Sequence, residues 1–184
     1  MKILNVARMA SQWHVKQRRK GAAGEPYVNH LIEVADLVAA VGAHEDVVCA
    51  ALLHDAIEDQ RISVETIAGL FGPGVAAMVC EVTDDKTLAK AERKAAQIAA
   101  APNLSPGAKL IKLADKISNV RSVAASPPVD WPQQRQDEYV EFCCKVVAGL
   151  RGANGPLEIL FDDAVRVARA AIHSEGVTAS AAAS

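Results

Sequence analysis

Residues 47–53 read "VVCAALL" and residues 54–59 read "HDAIED", with nothing between them. An apolar run of this length belongs in a core, yet it carries an imidazole and three carboxylates at its end. Burying such groups costs several kcal/mol each unless they are paired or bound to a metal. The fold must therefore bring a neutralising partner to the end of that segment.

The rest of the chain is patterned to supply helices. Apolar residues recur with a helical period through most segments, and start and stop signals lie between them. Helices are expected over about 3–18, 30–41, 45–58, 64–71, 73–82, 88–101, 106–125, 133–150 and 156–173. Asn29, Ser63 and Ser105 stand where caps are needed, Pro73 and Pro106 where a first turn tolerates proline, and Gly42 and Gly72 where helices stop. Aromatic residues make up only 4% of a chain that is 51% hydrophobic, which favours Ala, Val, Leu and Ile packing between helices over a β-sandwich. The expectation is an all-α fold with one domain over residues 1–174 and a small, polar, disordered tail over 175–184.

Charge and cysteine usage narrow the setting. A net charge of −2 exerts no global pull on nucleic acid or anionic membrane, so any anionic ligand must be held by a local basic patch. Cys49, Cys80, Cys143 and Cys144 form no CxxC pair and read as small core hydrophobes in a reducing compartment. The N-terminal apolar run is broken by Asn5 and Arg8, too soon for a signal peptide, and no segment approaches a membrane span. A soluble cytoplasmic protein is expected, with no membrane or nucleic-acid partner.

On one continuous helix, at about 100° per residue, His54, Glu58, Asp55 and Asp59 would fall within roughly 140° of arc. His54 and Asp55 could then ligate one ion, with Glu58 and Asp59 a turn further on. His30 lies just inside an apolar helix, and Lys112, Asp115 and Asn119 share a face of another. Converged, His30, His54, Asp55 and Asp115 make a mixed nitrogen–oxygen set that suits Mn²⁺, Fe²⁺ or Zn²⁺ better than Ca²⁺. Singly, His30 also fits a buried hydrogen-bonded histidine, and Asp115 a partner for Lys112 or Lys116. Spacing alone does not converge three helices.

The segments "GEPYVNH", "HDAIED", "VTDDKT" and "KLADKISNVR", in this order, resemble the HD-type hydrolase domain of RelA/SpoT proteins. "SPGAKLIKLADK" and "VAGLRGANGPLE" extend the likeness across about residues 5–170, and it is strongest to the free-standing small alarmone hydrolases, a group that includes the metazoan SpoT homologue. The resemblance implies a helical HD-domain bundle. It implies one Mn²⁺ held by His30, His54, Asp55 and Asp115, with Glu58 and Asp59 serving the attacking water. It implies removal of the 3′-pyrophosphate of guanosine tetra- or pentaphosphate, leaving GDP or GTP. The chain departs from the family in carrying Leu31 where proline usually follows the first ligand histidine, which is expected to alter only how that helix starts. His14 is assigned no metal role and is expected to be a core or hydrogen-bonded histidine.

Two basic stretches fit a nucleotide. "KQRRK" at 16–20 is expected at a helix C-terminus, where basic residues are favoured in any case. The resemblance makes Arg19 and Lys20 flank the guanine, with Arg19 stacking on it. Lys90, Arg93 and Lys94 share a helix face that could clamp the 5′-diphosphate, and Lys86 precedes them. Asn119 is expected to bond ribose or phosphate, and Tyr139 to close the pocket. Neither GxxxxGKS nor GxGxxG occurs, so kinase and dehydrogenase readings lack their motif. Another nucleotide phosphomonoester such as NADPH remains a compatible substrate. A catalytically silent alarmone sensor is disfavoured by the intact acids, and a nucleic-acid-binding module by the net charge.

Overall fold

The computed structural model describes residues 2–181, with side chains described to residue 174. It contains ten α-helices: α1 (Lys2–Trp13), α2 (Val28–Ala40), α3 (Glu45–Leu53), α4 (Ala56–Gln60), α5 (Val64–Phe71), α6 (Pro73–Val82), α7 (Lys90–Ala100), α8 (Pro106–Ala125), α9 (Gln133–Ala148) and α10 (Gly155–Ala181). A short 3₁₀ turn, Ala101–Asn103, joins α7 to the loop before α8. Among the described residues there is no strand, only isolated bridges between Arg18 and Pro26 and between Gly21 and Pro128. The all-α expectation holds. The expected tail over 175–184 falls on residues whose side chains, and from 182 onward whose backbone, lie outside the described set.

Helix α8 is the axis of the bundle, packed by α2, α3, α6, α9 and α10. Its buried residues run round the helix: Ile111, Leu113, Ala114, Ile117 and Val120 are fully enclosed. Lys112, Asp115 and Lys116 are also buried. A central helix buried on all sides fixes the position of any functional group it carries. Its start is pinned twice, by Ser105 Oγ accepting from the Ala108 amide and by Gly107, where a Cβ would meet Met78 Sδ at 2.6 Å. Ser63 caps α5 in the expected way, accepting from Thr66 N.

Four local expectations are corrected. Helix α1 ends at Trp13, not near Arg18, because residues 17–19 pair with 25–27: Tyr27 N donates to Gln17 O and Arg19 N to Glu25 O. The basic stretch is thus a loop, and the helix-dipole argument does not apply to it. Asn29 caps nothing; Pro26 already accepts from its amide at 3.1 Å, so the proline opens the turn and α2 begins at Val28. Helix 45–58 is two helices, α3 and α4, because Asp55 leaves helical geometry at φ −101°, ψ 1°. That bridge-region conformation is sparsely populated and recurs at active sites. Counting arc along one helix therefore fails across the motif. Cys80 is exposed, so only Cys49 and Cys143 are fully buried core thiols.

Candidate metal centre and the cavity beside it

Three elements deliver the cluster. His30 comes from the first turn of α2, His54 and Asp55 from the break between α3 and α4, and Asp115 from the middle of α8. His30 Nε2 lies 3.2 Å from His54 Nε2 and 3.4 Å from Asp115 Oδ1, and His54 Nε2 lies 3.8 Å from Asp115 Oδ1. Asp55 Oδ2 is 3.0 Å from His54 Nε2 and 3.7 Å from His30 Nε2. The same Asp55 oxygen accepts from Tyr27 Oη at 2.6 Å, so it is shared between the tyrosine and the cluster, whose tightest group of three is His30, His54 and Asp115. All four expected ligands converge, with Asp55 at the edge.

The hydrogen-bond chemistry of the two imidazoles shows what the cluster lacks. His54 Nδ1 is 2.8 Å from the Ala51 carbonyl, which can only accept. His30 Nδ1 is 2.8 Å from Ser118 Oγ, whose own proton goes to Glu33. Both Nδ1 atoms therefore donate, so in their neutral forms both imidazoles present Nε2 lone pairs to each other and to two carboxylates. Four electron-rich groups facing inward need a cation. Nitrogen and oxygen ligands bound at about 2.0–2.2 Å to one ion sit roughly 3–3.5 Å from each other, close to these spacings. The donor set fits a divalent transition metal.

The demand for positive charge shows in His54: burial alone would depress it, but Asp55 and Asp115 outweigh burial and push its pKa up to about 9, so that a proton on His54 answers the carboxylates when no ion does. Burial lowers His30. Burial would raise Asp115, but Lys116 and the two imidazoles hold it well below the usual carboxylate range. Lys116 Nζ is 3.0 Å from Asp115 Oδ2, and Asn119 Nδ2 donates to Asp115 Oδ1 at 2.5 Å.

Beside the cluster opens a cavity of about 490 Å³ whose wall includes Glu58, Asp59, Arg19, Lys20, Arg93, Asn119 and Tyr139. Tyr27 and Asn119 also line it, so it is bounded by groups that touch Asp55 and Asp115. The two expected acids differ sharply. Asp59 has both oxygens occupied, by Lys86 Nζ at 2.7 Å and Gln17 Nε2 at 2.7 Å. Glu58 has only a long contact with the Asp84 amide at 3.4 Å and Lys86 at 3.6 Å. Burial, then Asp84 and Asp55, raise the Glu58 pKa against the pull of Lys86.

The basic groups divide. Arg93 faces the 490 Å³ cavity, but Lys90 lines a neighbouring one of about 380 Å³ together with Lys94 and Arg135. Lys20, Trp131 and Tyr139 border both. One helix face thus serves two cavities, where one clamp was expected. His14 is buried and shares Gln17 Oε1 at 2.6 Å, stacked on Tyr27, in keeping with a structural histidine. Sequence reasoning did not single out Tyr27, Gln17, Trp131, Ser118 or Glu33. Tyr27 alone left a usable signal, three residues before His30 and so on the same side of the helix start.

The chain matches the HD domain family over residues 6–156. It is 46% identical over 167 residues to guanosine-3′,5′-bis(diphosphate) 3′-pyrophosphohydrolase MESH1 of Drosophila melanogaster, covering 90% of this chain and 93% of that one. It is 46% identical over 158 residues to the Homo sapiens protein of the same name, covering 85% and 88%. A solved structure described as a metazoan ortholog of SpoT that hydrolyzes ppGpp and plays a role in starvation responses superposes with a TM-score of 0.86 over 90% of this chain and 94% of that one, at 46% identity. A protein from Listeria monocytogenes EGD-e follows at 0.67 and 30% identity, covering 82% and 98%. With its four family motifs gathered around one cation-demanding cluster, this chain belongs to the HD-domain family.

Proposed function

We propose that this chain is a guanosine-3′,5′-bis(diphosphate) 3′-pyrophosphohydrolase that works with one divalent ion, Mn²⁺, held by His30, His54, Asp55 and Asp115. The observation that carries the reading is the pair of inward Nε2 lone pairs among carboxylates, at the edge of a basic cavity that contains two further acids. The substrate comes from the MESH1 relatives, which share 46% identity over nearly the whole chain.

When bound, the ion supplies Lewis-acid polarisation of the 3′-phosphate and a water acidic enough to lose a proton near neutral pH. Glu58 is the group free to take that proton, because its oxygens are weakly engaged and its pKa is raised toward the working range. Asp59, tied down by Lys86 and Gln17, orients Glu58's neighbourhood and holds Lys86 in place. Water adds to the phosphorus attached to the 3′-oxygen as Glu58 takes its proton, the P–O3′ bond breaks, and the 3′-oxygen takes up a proton from solvent as GDP and pyrophosphate leave. Arg19 and Lys20 hold the guanine side, Arg93 and Lys90 the 5′-phosphates, Asn119 the ribose and Tyr139 the cavity edge. The substrate is a free nucleotide, and the four free thiols suit a reducing, cytoplasmic setting.

The test is pyrophosphate release from guanosine tetraphosphate by Mn²⁺-loaded protein, with chelated protein and NADPH as parallel arms. Release that depends on metal supports the assignment. Turnover of NADPH alone would keep the metal chemistry and overturn the substrate.

A further inference from the structure

The fold carries a buried hydrogen-bond relay behind His30 that the reaction itself does not use. Ser118 on α8 is 1% exposed and makes two short contacts, to His30 Nδ1 at 2.8 Å and to Glu33 Oε2 at 2.6 Å. Glu33 sits on α2, one turn beyond His30, and its other oxygen accepts from Arg121 Nη1 at 3.1 Å. A serine hydroxyl has one proton. The Glu33 carboxylate has none to give, so at 2.6 Å the serine must donate to it. The serine oxygen is then left to accept, and only His30 Nδ1–H can donate. The direction of every proton in the chain His30 to Ser118 to Glu33 is thereby fixed.

The geometry points to Ser118 and Glu33 as positioning residues that lock His30 in the tautomer whose Nε2 lone pair faces the proposed metal site, and so set metal affinity. This rests on the metal reading above. Groups that orient a ligating histidine typically govern metal affinity by 10- to 100-fold. Here the carboxylate acts through a serine, which bridges α2 to α8 and ties together the two helices that carry His30 and Asp115. Arg121 and Glu33 are 40% and 38% exposed, so their ion pair adds little directly and serves to aim the carboxylate.

The experiment has two readouts on Ser118→Ala and Glu33→Gln. Ser118→Ala removes the acceptor without enlarging the side chain, and Glu33→Gln is isosteric on a half-exposed site, so folding is expected to persist and is checked by circular dichroism. The first readout is the His30 tautomer in metal-free protein, from long-range ¹⁵N–¹H spectra of the imidazole. The parent should show a single Nδ1–H form and Ser118→Ala a mixture. The second is Mn²⁺ affinity by competition with a chelator, expected to weaken 10- to 100-fold in Ser118→Ala and less in Glu33→Gln. An unchanged tautomer with unchanged affinity in Ser118→Ala overturns the relay. If the parent binds no Mn²⁺, the metal centre fails, and the tautomer spectra still decide the relay separately.

Discussion

The proposed ligand cluster hangs on α2, α8 and the α3–α4 break, whose side chains lie in the core, whereas the basic wall facing it hangs largely from the loop at 15–27, the turn at 83–89 and the exposed face of α7. At the cluster, His30 and His54 side chains are 1% and 5% exposed; across the cavity, Lys86 is 49% exposed. Rigid, dry helices hold atoms to a few tenths of an ångström, which a metal requires. A charged nucleotide needs attraction over a larger area and tolerates mobile side chains. Substitutions in the two regions should therefore fail in different ways.

The largest effect is expected at the cluster. His54→Ala or Asp115→Ala removes one ligand from the proposed set of four. Hydrolysis should be abolished and bound Mn²⁺ should fall below stoichiometry. Metal analysis of purified variants decides this; full occupancy with full activity in either would break the contrast between the two regions.

Next come the acids between the regions. Glu58→Gln should lower turnover by about 100-fold or more while Mn²⁺ stays bound, since a positioned general base contributes roughly 10²–10⁴. Asp59→Asn should cost less in turnover at saturating substrate and more in KM, because it frees Lys86 and Gln17. Loss of metal in Glu58→Gln would move Glu58 into the ligand set. Glu58 also carries a stability signature. Its folded pKa is raised above its ordinary 4.5, so its ionised form is disfavoured by folding. Its contribution is full below about 4.5 and lost as pH rises through the folded value. Glu58→Gln should thus melt higher than the parent at pH 7 and not at pH 4.

What the sequence showed follows the same division. The proposed ligands were legible as candidates because each is a chemically unusual residue on a periodic apolar helix: His30, His54 and Asp115 interrupt patterns that otherwise call for aliphatic side chains. Their convergence was not legible from spacing and came from the family motifs. The break at Asp55 was invisible, since nothing in "LLHDAIE" is a helix breaker, and the contact that holds Asp55 there is tertiary, the hydrogen bond from Tyr27 Oη. The basic loop was misread as a helix end because its pairing partners, residues 25–27, lie beyond a turn. The relay through Ser118 and Glu33 could not be read at all. A serine in the middle of a helix and a glutamate on another carry no signal until the helices are packed.

A smaller effect is a shift in the pH profile. Glu58 must be ionised to accept a proton, so kcat/KM falls on the acid side of its pKa. Burial sets that pKa high, Asp84 and Asp55 raise it further, and Lys86 lowers it. Asp84→Asn should move the acid limb to lower pH and Lys86→Met to higher pH. Limbs that move together, or not at all, would mean that the limb belongs to another group.

The smallest effect, and the one that most sharpens the comparison, separates two residues a single helical turn apart. Arg93 and Lys90 were expected to form one clamp, but Arg93 lines the cavity that holds Glu58 and Asp59, and Lys90 lines the next one. Arg93 is half-buried with its Nη1 bonded to the Leu88 carbonyl, whereas Lys90 is exposed. A fixed, partly dry guanidinium in the wall of the main cavity should be felt more than a solvated ammonium in the neighbouring one. Arg93→Ala should raise KM for guanosine tetraphosphate severalfold with modest loss as salt rises. Lys90→Ala should raise KM less, and its effect should shrink toward none between low and high ionic strength, because a contact exposed to water is screened within about 10 Å at 0.1 M salt. Steady-state kinetics at two ionic strengths measures both. An equal, salt-independent rise in KM for the two variants would place Lys90 on the substrate as firmly as Arg93. The two cavities would then act as a single binding surface, and the distinction between a rigid wall and a solvated one would end at Tyr139.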